Sequence, residues 1–197
     1  MNTSRAPLAA LGVTVLAATM LGCPAERRPA CDPTSAQAGQ AAPQRLCNPH
    51  SVILVRHAEK TFVDAPDPDL SLKGRVRAVR LSLLLSKTAI TRLVASDTKR
   101  TQQTLAPLAE RTKKTIDVRP AAQTNDLVRE LRNAPPGSTT VVASHSNVIP
   151  VIVRELGGGQ LRDLTSEGTL DDDDYSRVLV LSVGCSTSAS VVELSSD

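Results

Sequence analysis

The sequence contains two arginines and two histidines whose side chains suit the binding and transfer of a phosphate group: Arg56, His57, Arg100 and His145. An arginine guanidinium presents a planar fork of donors that matches phosphate oxygens, and it keeps its charge at any working pH. A neutral imidazole is a competent nucleophile, and a second, protonated imidazole can stabilise charge that develops on phosphate oxygens. These residue types predict a pocket for a tetrahedral dianion, provided that the fold brings them together.

Three short apolar runs end just before these four residues and have the composition of buried strands: residues 51–55, 92–95 and 138–143. In an open α/β sheet, ligands bind beyond the carboxyl ends of the strands. The runs at residues 51–55 and 138–143 are among the most hydrophobic of the chain and are expected to be central strands that could be neighbours. The pattern therefore predicts that Arg56, His57, Arg100 and His145 converge in one crevice.

Helical patterns alternate with the strands. Helices are predicted over residues 71–86, 99–111, 125–133 and 147–156, and further strands over residues 114–118, 177–183 and 190–194. In the first helix Ser71 is the candidate N-cap, and an apolar stripe of the kind that packs on a core is formed by Leu72, Val76, Val79 and Leu83. The alternation predicts an α/β fold, a three-layer α/β/α sandwich with a mostly parallel central sheet and a C-terminal antiparallel hairpin.

Four segments resemble, in order, the motifs of the histidine phosphatase (phosphoglycerate mutase-like) superfamily, in particular its small bacterial branch with a His-Ser-Asn element. They are VRHAEK at residues 55–60, DLSLKGRVRA at 69–78, SDTKRTQQTLAPLAE at 96–110 and SHSNVIP at 144–150. The resemblance implies that His57 is the nucleophile that becomes phosphohistidine. It also implies that Arg56, Arg100 and His145 complete the phosphate pocket.

Other residues of these motifs have open roles. Asn147 could donate to the phosphate together with the amides that open the helix after His145, or it could be a plain N-cap. Glu59 is expected to support the site, by positioning an arginine or the loop after His57. The superfamily's acid phosphatase branch has His-Asp where this chain has His145-Ser146. The proton donor must therefore lie elsewhere, and Asp126 is the candidate, although a carboxylate at a helix start is also a common structural feature.

The remaining polar features carry less chemistry. The four aspartates at residues 171–174 lack the alternating spacing of a calcium loop and are interpreted as a solvated surface loop. His50 precedes the first strand, at the edge opposite the predicted pocket, and is not expected to be catalytic. The histidine spacing gives no metal signal, and the predicted chemistry needs no metal or organic cofactor.

The N-terminus has the layout of an export signal. Residues 1–22 contain an uncharged apolar run after Arg5 and end in Leu-Gly before Cys23, which resembles a bacterial lipobox. We therefore expect residues 1–22 to be a signal peptide, residues 23–48 a lipidated Cys23 with a flexible tether, and residues 49–197 the phosphatase domain. An ordinary cleaved signal is the alternative. If Cys23 is lipidated, one disulfide could form among Cys31, Cys47 and Cys185, in any of three pairings.

The composition limits the partners. The chain has one Tyr, one Phe and no Trp, and its formal charge of +3 is spread along the sequence. The chain thus lacks the aromatic side chains on which bases stack and a cluster of basic residues, which argues against binding of nucleic acid. The sequence thus predicts an exported, lipid-anchored phosphatase on the periplasmic or cell-surface side of a bacterial membrane, acting on small phosphorylated substrates or phosphorylated macromolecules. The alternatives are a non-catalytic lipoprotein that binds a phosphorylated ligand and, less favoured, a mutase.

Overall fold

The computed structural model describes residues 48–63, 65–184 and 188–196. They lie within one compact unit, Arg45–Asp197. The predicted signal peptide, Cys23, the tether up to residue 47 and the three further cysteines fall outside the described residues. Among the helices that are described, none is long and apolar enough to cross a membrane.

A single six-stranded sheet forms the centre of the domain. Its strands are β1 (His50–Arg56), β2 (Arg92–Ser96), β3 (Ile116–Arg119), β4 (Thr139–Ser144), β5 (Arg177–Val183) and β6 (Ser190–Ser195), in the order β3-β2-β4-β1-β5-β6. Strands β1 to β4 pair in parallel, whereas β5 runs antiparallel to β1 and β6 antiparallel to β5. The predicted mostly parallel sheet with a C-terminal antiparallel pair is confirmed.

Four α-helices connect the strands: α1 (Leu72–Leu84), α2 (Lys99–Thr112), α3 (Thr124–Arg132) and α4 (Ile149–Glu155), with a short 3₁₀ turn at Ala121–Gln123 before α3. The predicted helices exist, with ends that differ by a few residues. Helix α1 begins after Ser71, whose hydroxyl accepts a hydrogen bond from the Gly74 amide, as predicted for an N-cap. Pro150 lies in the first turn of α4, where its missing amide costs nothing.

The core has two parts because successive residues of each strand point to opposite faces of the sheet. On one face Val52 and Leu54 of β1 pack in a cluster with residues of α3 and α4. On the other face Ile53 and Val55 pack in a second cluster with residues of α1 and α2. Both clusters are aliphatic, and they make the domain a sandwich with helices on both sides of the sheet.

The predicted packing face of α1 is wrong. Its buried positions are Gly74, Ala78, Leu81 and Ser82, which are small apart from the leucine. The predicted stripe of Leu72, Val76, Val79 and Leu83 is exposed instead. Small residues occupy the side of α1 that faces the sheet because the helix passes very close to the chain after β1. A Cβ built on Gly74 would lie 2.1 Å from the carbonyl oxygen of Glu59.

Candidate active site

The topology places the ends of β1 and β4 side by side. The two strands pair in parallel with Arg56 opposite Ser144, and the amide of His57 continues the ladder by donating to the Ser144 carbonyl at 2.9 Å. His57 and His145 therefore leave adjacent strands at the same edge of the sheet. Their ring centroids are 5.5 Å apart in an edge-on arrangement.

The surroundings of His57 determine which ring nitrogen is free. Its Nδ1 lies 2.8 Å from the Ala58 carbonyl oxygen, which can only accept, so Nδ1 carries the proton. Burial lowers the pKa of His57 to about 4; the bond to Ala58 opposes that shift, and the charges of Arg100 and Arg56 add to it. The ring is therefore neutral near pH 7, with a lone pair on Nε2.

His145 is held by a chain of hydroxyl groups. Its Nε2 lies 2.8 Å from Ser96 Oγ, and Ser96 Oγ lies 2.9 Å from Thr101 Oγ1. Ser96 is the last residue of β2 and Thr101 belongs to the first turn of α2, so the end of the neighbouring strand orients this ring. Burial lowers the pKa of His145, Arg100 adds to the effect, and Asp97 partly opposes it.

Arg100 reaches the site from the first turn of α2. Its Nη1 lies 3.5 Å from Asp67 Oδ1, and both Asp67 oxygens also accept from the amide of Lys99. The loop after β1 thus holds the start of α2 in place. The Nε atoms of Arg100 and Arg56 are buried and have no hydrogen-bond partner among the described residues. A buried donor without a partner costs free energy of folding, and an anion bound at the site would satisfy both Nε atoms.

Arg56 contacts the loop before β5. Its Nη1 donates to the backbone carbonyls of Asp171, Asp172 and Asp174 at 2.6, 3.0 and 3.4 Å. The guanidinium also lies over the Tyr175 ring, 4.3 Å from its centroid, a cation–π geometry. The first three aspartates of the run are exposed, as expected for a surface loop, whereas Asp174 is half-buried and pairs with Arg177. The run also forms a wall of the site, which the sequence interpretation did not include.

Glu59 forms an ion-pair cluster behind the nucleophile. Nε of Arg77 lies 3.1 and 3.0 Å from its two oxygens, and Nη2 lies 2.9 Å from Oε1. Lys73 Nζ lies 3.3 Å from Oε1. Burial acts to raise the pKa of Glu59, but the hydrogen bonds and charge of Arg77, a backbone hydrogen bond and Lys73 together outweigh it and hold the pKa below its ordinary value. The carboxylate is therefore ionised and fully engaged.

These side chains surround a cavity of about 850 Å³. Arg56, His57, Arg100 and His145 line it, as the sequence predicted for a common crevice. The rim adds Lys60 and the fully exposed Phe62. The cavity is wide enough for a phosphate with a substantial organic group attached.

Of the other two candidate residues, one lies at the cavity and one does not. Asn147 lines the cavity, and it is not the N-cap of α4, which is Val148. The amides of Val148 and Ile149 donate to the His145 carbonyl, so they are not free for a phosphate. Asp126 does not line the cavity; it is exposed on α3 and pairs with Arg129. Its carboxylate is not brought near the two histidines.

His50 lies at the other end of β1 from His57. Its Nε2 is 2.6 Å from the carbonyl oxygen of Leu131, and the ring is buried. It has a structural role at the opposite edge of the sheet.

Three residues of the site were not singled out from the sequence: Ser96, Thr104 and Tyr175. Thr104 Oγ1 accepts from the amide of Ala58 and donates to the carbonyl of Arg100, which ties the nucleophile loop to α2. Ser96 could have been found, since it directly follows the predicted strand at residues 92–95, at the same edge as the two histidines. Tyr175 could not, because its position depends on β5 running antiparallel to β1.

Comparison with known proteins agrees with this geometry. Residues 52–123 match the histidine phosphatase superfamily (branch 1). A comparison with curated proteins gave no significant match.

Solved structures with a similar fold are 14–22% identical in sequence to this chain. The protein histidine phosphatase SixA in complex with tungstate has a TM-score of 0.62 at 19% identity, over 74% of this chain and 97% of SixA. An Escherichia coli putative alpha-ribazole-5'-P phosphatase has a TM-score of 0.59 at 14% identity, over 75% of this chain and 97% of its own. Mycobacterial glucosyl-3-phosphoglycerate phosphatase with inorganic phosphate has a TM-score of 0.55 at 18% identity, over 73% and 95%. The match at residues 52–123 and the shared fold make this chain similar to the histidine phosphatase superfamily.

Proposed function

We propose that the protein hydrolyses phosphomonoesters through a covalent phosphohistidine on His57. The observation that carries the proposal is the Nδ1–H bond from His57 to the Ala58 carbonyl, which leaves Nε2 as the unprotonated nitrogen of a buried, neutral ring. In the first step Nε2 attacks phosphorus, an N–P bond forms, and the ester P–O bond breaks with its electrons on the leaving oxygen. In the second step water attacks phosphorus, the N–P bond breaks, and inorganic phosphate leaves.

The cationic residues around His57 would hold the phosphoryl group. Arg56 and Arg100 are permanent cations, each with a buried Nε that has no partner among the described residues. His145, 5.5 Å away between ring centroids, is placed to donate to a phosphoryl oxygen when it is protonated. Asn147 at the cavity edge adds an amide donor. These groups neutralise the dianion and align it for attack.

The proton donor for the leaving group would be a carboxylate at the cavity. Among the described residues, the carboxylates that line the cavity are Glu59, Asp172 and Asp173. Glu59 is engaged by Arg77 and Lys73. Asp172 has one longer contact, 3.4 Å from its Oδ1 to Nη2 of Arg56, so Asp173 and then Asp172 replace Asp126 as the candidates. Without such a donor, an enzyme hydrolyses mainly esters with good leaving groups.

The rim supports a substrate larger than phosphate itself. Phe62 offers an apolar contact and Lys60 a positive charge beside the mouth of the cavity. A phosphomonoester with both an apolar part and an additional anionic group would match these residues. The proposed location is outside the cytoplasm, with Cys23 as lipid anchor, on the basis of the N-terminal sequence alone.

The first experiment follows phosphate release from an aryl phosphate by the protein and by its His57→Asn variant. Release that is lost in the variant, together with acid-labile labelling of the unaltered protein, would support the proposal. A panel of good and poor leaving groups is then tested with Asp172→Asn and Asp173→Asn, and Asp126→Asn serves as the matched control. Tight vanadate binding without turnover of any ester would instead identify a non-catalytic phosphate-binding protein.

A further inference from the structure

Helix α1 carries a line of apolar side chains on its outer side. Leu72, Val76, Val79 and Leu83 are 81, 47, 46 and 54% exposed. Their spacing of three and four residues puts them on one face of the helix. With about 3.6 residues per turn, that face lies opposite the buried positions of α1. These four residues are called the outer stripe below.

Basic residues flank the outer stripe. At about 100° per residue, Arg75 falls on one side of the stripe and Arg80 on the other. Both side chains are exposed, and neither forms an ion pair with a described residue. The sequence of α1, LKGRVRAVRLSLL, contains no aspartate or glutamate. The outer side of α1 is thus apolar in the middle and positive at both margins.

We propose that the outer stripe of α1 docks on an anionic lipid surface. A helix with an apolar face bordered by arginines can lie in the plane of a bilayer interface, with the apolar side chains among the acyl chains and the guanidinium groups at the lipid phosphates. Anionic lipids attract each such cation with an effect of about fivefold in affinity. This contact is additional to any lipid on Cys23 and requires no catalytic activity.

A second copy of the chain fits the outer stripe less well. In a two-fold symmetric contact the same face meets itself. The arginines at the margins of one copy would then lie near those of the other, and α1 offers no carboxylate to pair with them. A membrane surface provides the complementary charge that a second α1 lacks.

Docking through the outer stripe would also hold the mouth of the cavity close to the membrane. Ser71 and Lys73, which precede and follow Leu72, both line the cavity. The N-terminal end of the outer stripe therefore reaches the mouth of the site. A domain that lies on lipid through α1 holds this mouth beside the membrane surface.

The test measures binding of the full chain with Cys23→Ser to phosphatidylcholine vesicles with and without phosphatidylglycerol. Residues 1–47 are otherwise the same in every protein compared, so their contribution cancels. We expect phosphatidylglycerol to raise the partition coefficient by about tenfold or more. Val76→Glu with Val79→Glu should abolish this increase. Val192→Glu with Leu194→Glu adds the same charge at two exposed residues of β6, 55 and 45% exposed, and should leave the increase intact.

A second variant guards against a folding artefact. Arg75→Gln with Arg80→Gln changes only exposed side chains and should reduce the increase about tenfold or more, with an unchanged thermal melting curve. The proposal is overturned if both double variants bind anionic vesicles as well as the unaltered chain. It is equally overturned if the valine variant converts a dimer to a monomer while the chain shows no preference for anionic lipid.

Discussion

Ser96 Oγ lies 2.8 Å from Nε2 of His145. Thr101 Oγ1 is within donor distance of the Ser96 and Thr98 carbonyls, at 2.9 and 2.8 Å, so its proton is used there and its lone pairs accept from Ser96. Ser96 Oγ is then the acceptor for Nε2–H of His145. In this pattern Nε2 keeps its proton, and Nδ1 is the nitrogen that gains or loses one.

Replacing Ser96 with alanine should weaken catalysis without unfolding the domain. The variant removes the partner of His145 Nε2, and a hydrogen bond of this kind contributes about 1 kcal/mol, so we expect kcat/KM for an aryl phosphate to fall by about five- to tenfold. Ser82→Ala is the matched control, because Ser82 is also buried but lies on α1 and donates to the Val79 carbonyl. Equal activity of both variants would show that Ser96 does not orient His145.

The pH dependence of kcat/KM should be bell-shaped with an acidic optimum. His57 acts as a neutral nucleophile, so activity is lost as pH falls through its pKa of about 4. His145 acts when protonated, and its pKa lies below the ordinary 6.5. Activity therefore falls again as pH rises through the pKa of His145, and the midpoint of this alkaline limb lies below pH 6.5. The profile is measured with an aryl phosphate over this range. His145→Asn should remove the alkaline limb; a limb that persists in this variant belongs to another group.

Glu59→Gln should lower stability more than it alters the chemistry. Glu59 pairs with Arg77, whose side chain is 11% exposed, and the loss of charged hydrogen bonds costs about 2 kcal/mol in the free energy of unfolding. Because the folded pKa of Glu59 is below its ordinary 4.5, this stabilisation is present above pH 4.5 and is lost as pH falls through the folded value. Urea unfolding at two pH values measures both effects. A variant that loses activity selectively toward poor leaving groups would instead make Glu59 the proton donor.

Gly74→Ala should destabilise the domain, against the usual trend in helices. In an ordinary helix interior this change stabilises by about 1 kcal/mol. Here the new Cβ would lie 2.1 Å from the Glu59 carbonyl oxygen, so α1 or the loop must move, at a cost of about 1–3 kcal/mol. Thermal unfolding compares this variant with Arg80→Ala on the exposed side of the same helix, which should change little.

Tyr175→Leu should weaken substrate binding, because the ring under Arg56 helps to hold the guanidinium. A partly exposed cation–π contact contributes about 0.5–1 kcal/mol, which corresponds to a rise in KM of about two- to fivefold. Tyr175→Phe keeps the ring and should behave like the unaltered protein. A similar loss in both variants would assign the effect to the hydroxyl group.

The strands and the meeting of His57 with His145 could be predicted because parallel strands bring their carboxyl ends to one edge. Apolar runs such as residues 51–55 are visible in the sequence, and the polar residues that follow them must then lie together. The wall formed by Tyr175 follows from a different rule. Strand β5 is antiparallel to β1, so its amino end, not its carboxyl end, lies at the site.

The packing face of α1 was predicted wrongly from the spacing of its apolar residues. Such spacing shows that these residues share one face of the helix, but not whether the core or solvent lies against that face. The side of α1 toward the sheet is selected by close approach, since Gly74 and Ala78 allow the helix to lie against the loop after β1. The prediction that Asp126 lies at the site did not match its position for a related reason. Its position after β3 suggested the site, but β3 is the edge strand, separated from β1 by β2 and β4.

Three of the four hydrogen bonds from Arg56 to residues 171–174 end on backbone carbonyl oxygens, and only the one to Asp172 Oδ1 involves a side chain. A carbonyl oxygen is present whichever amino acid occupies the position. The aspartates can therefore change in evolution or by design without releasing this arginine. The charge at the mouth of the cavity, and with it the choice among substrates, is in this way an adjustable property that is uncoupled from the phosphate clamp.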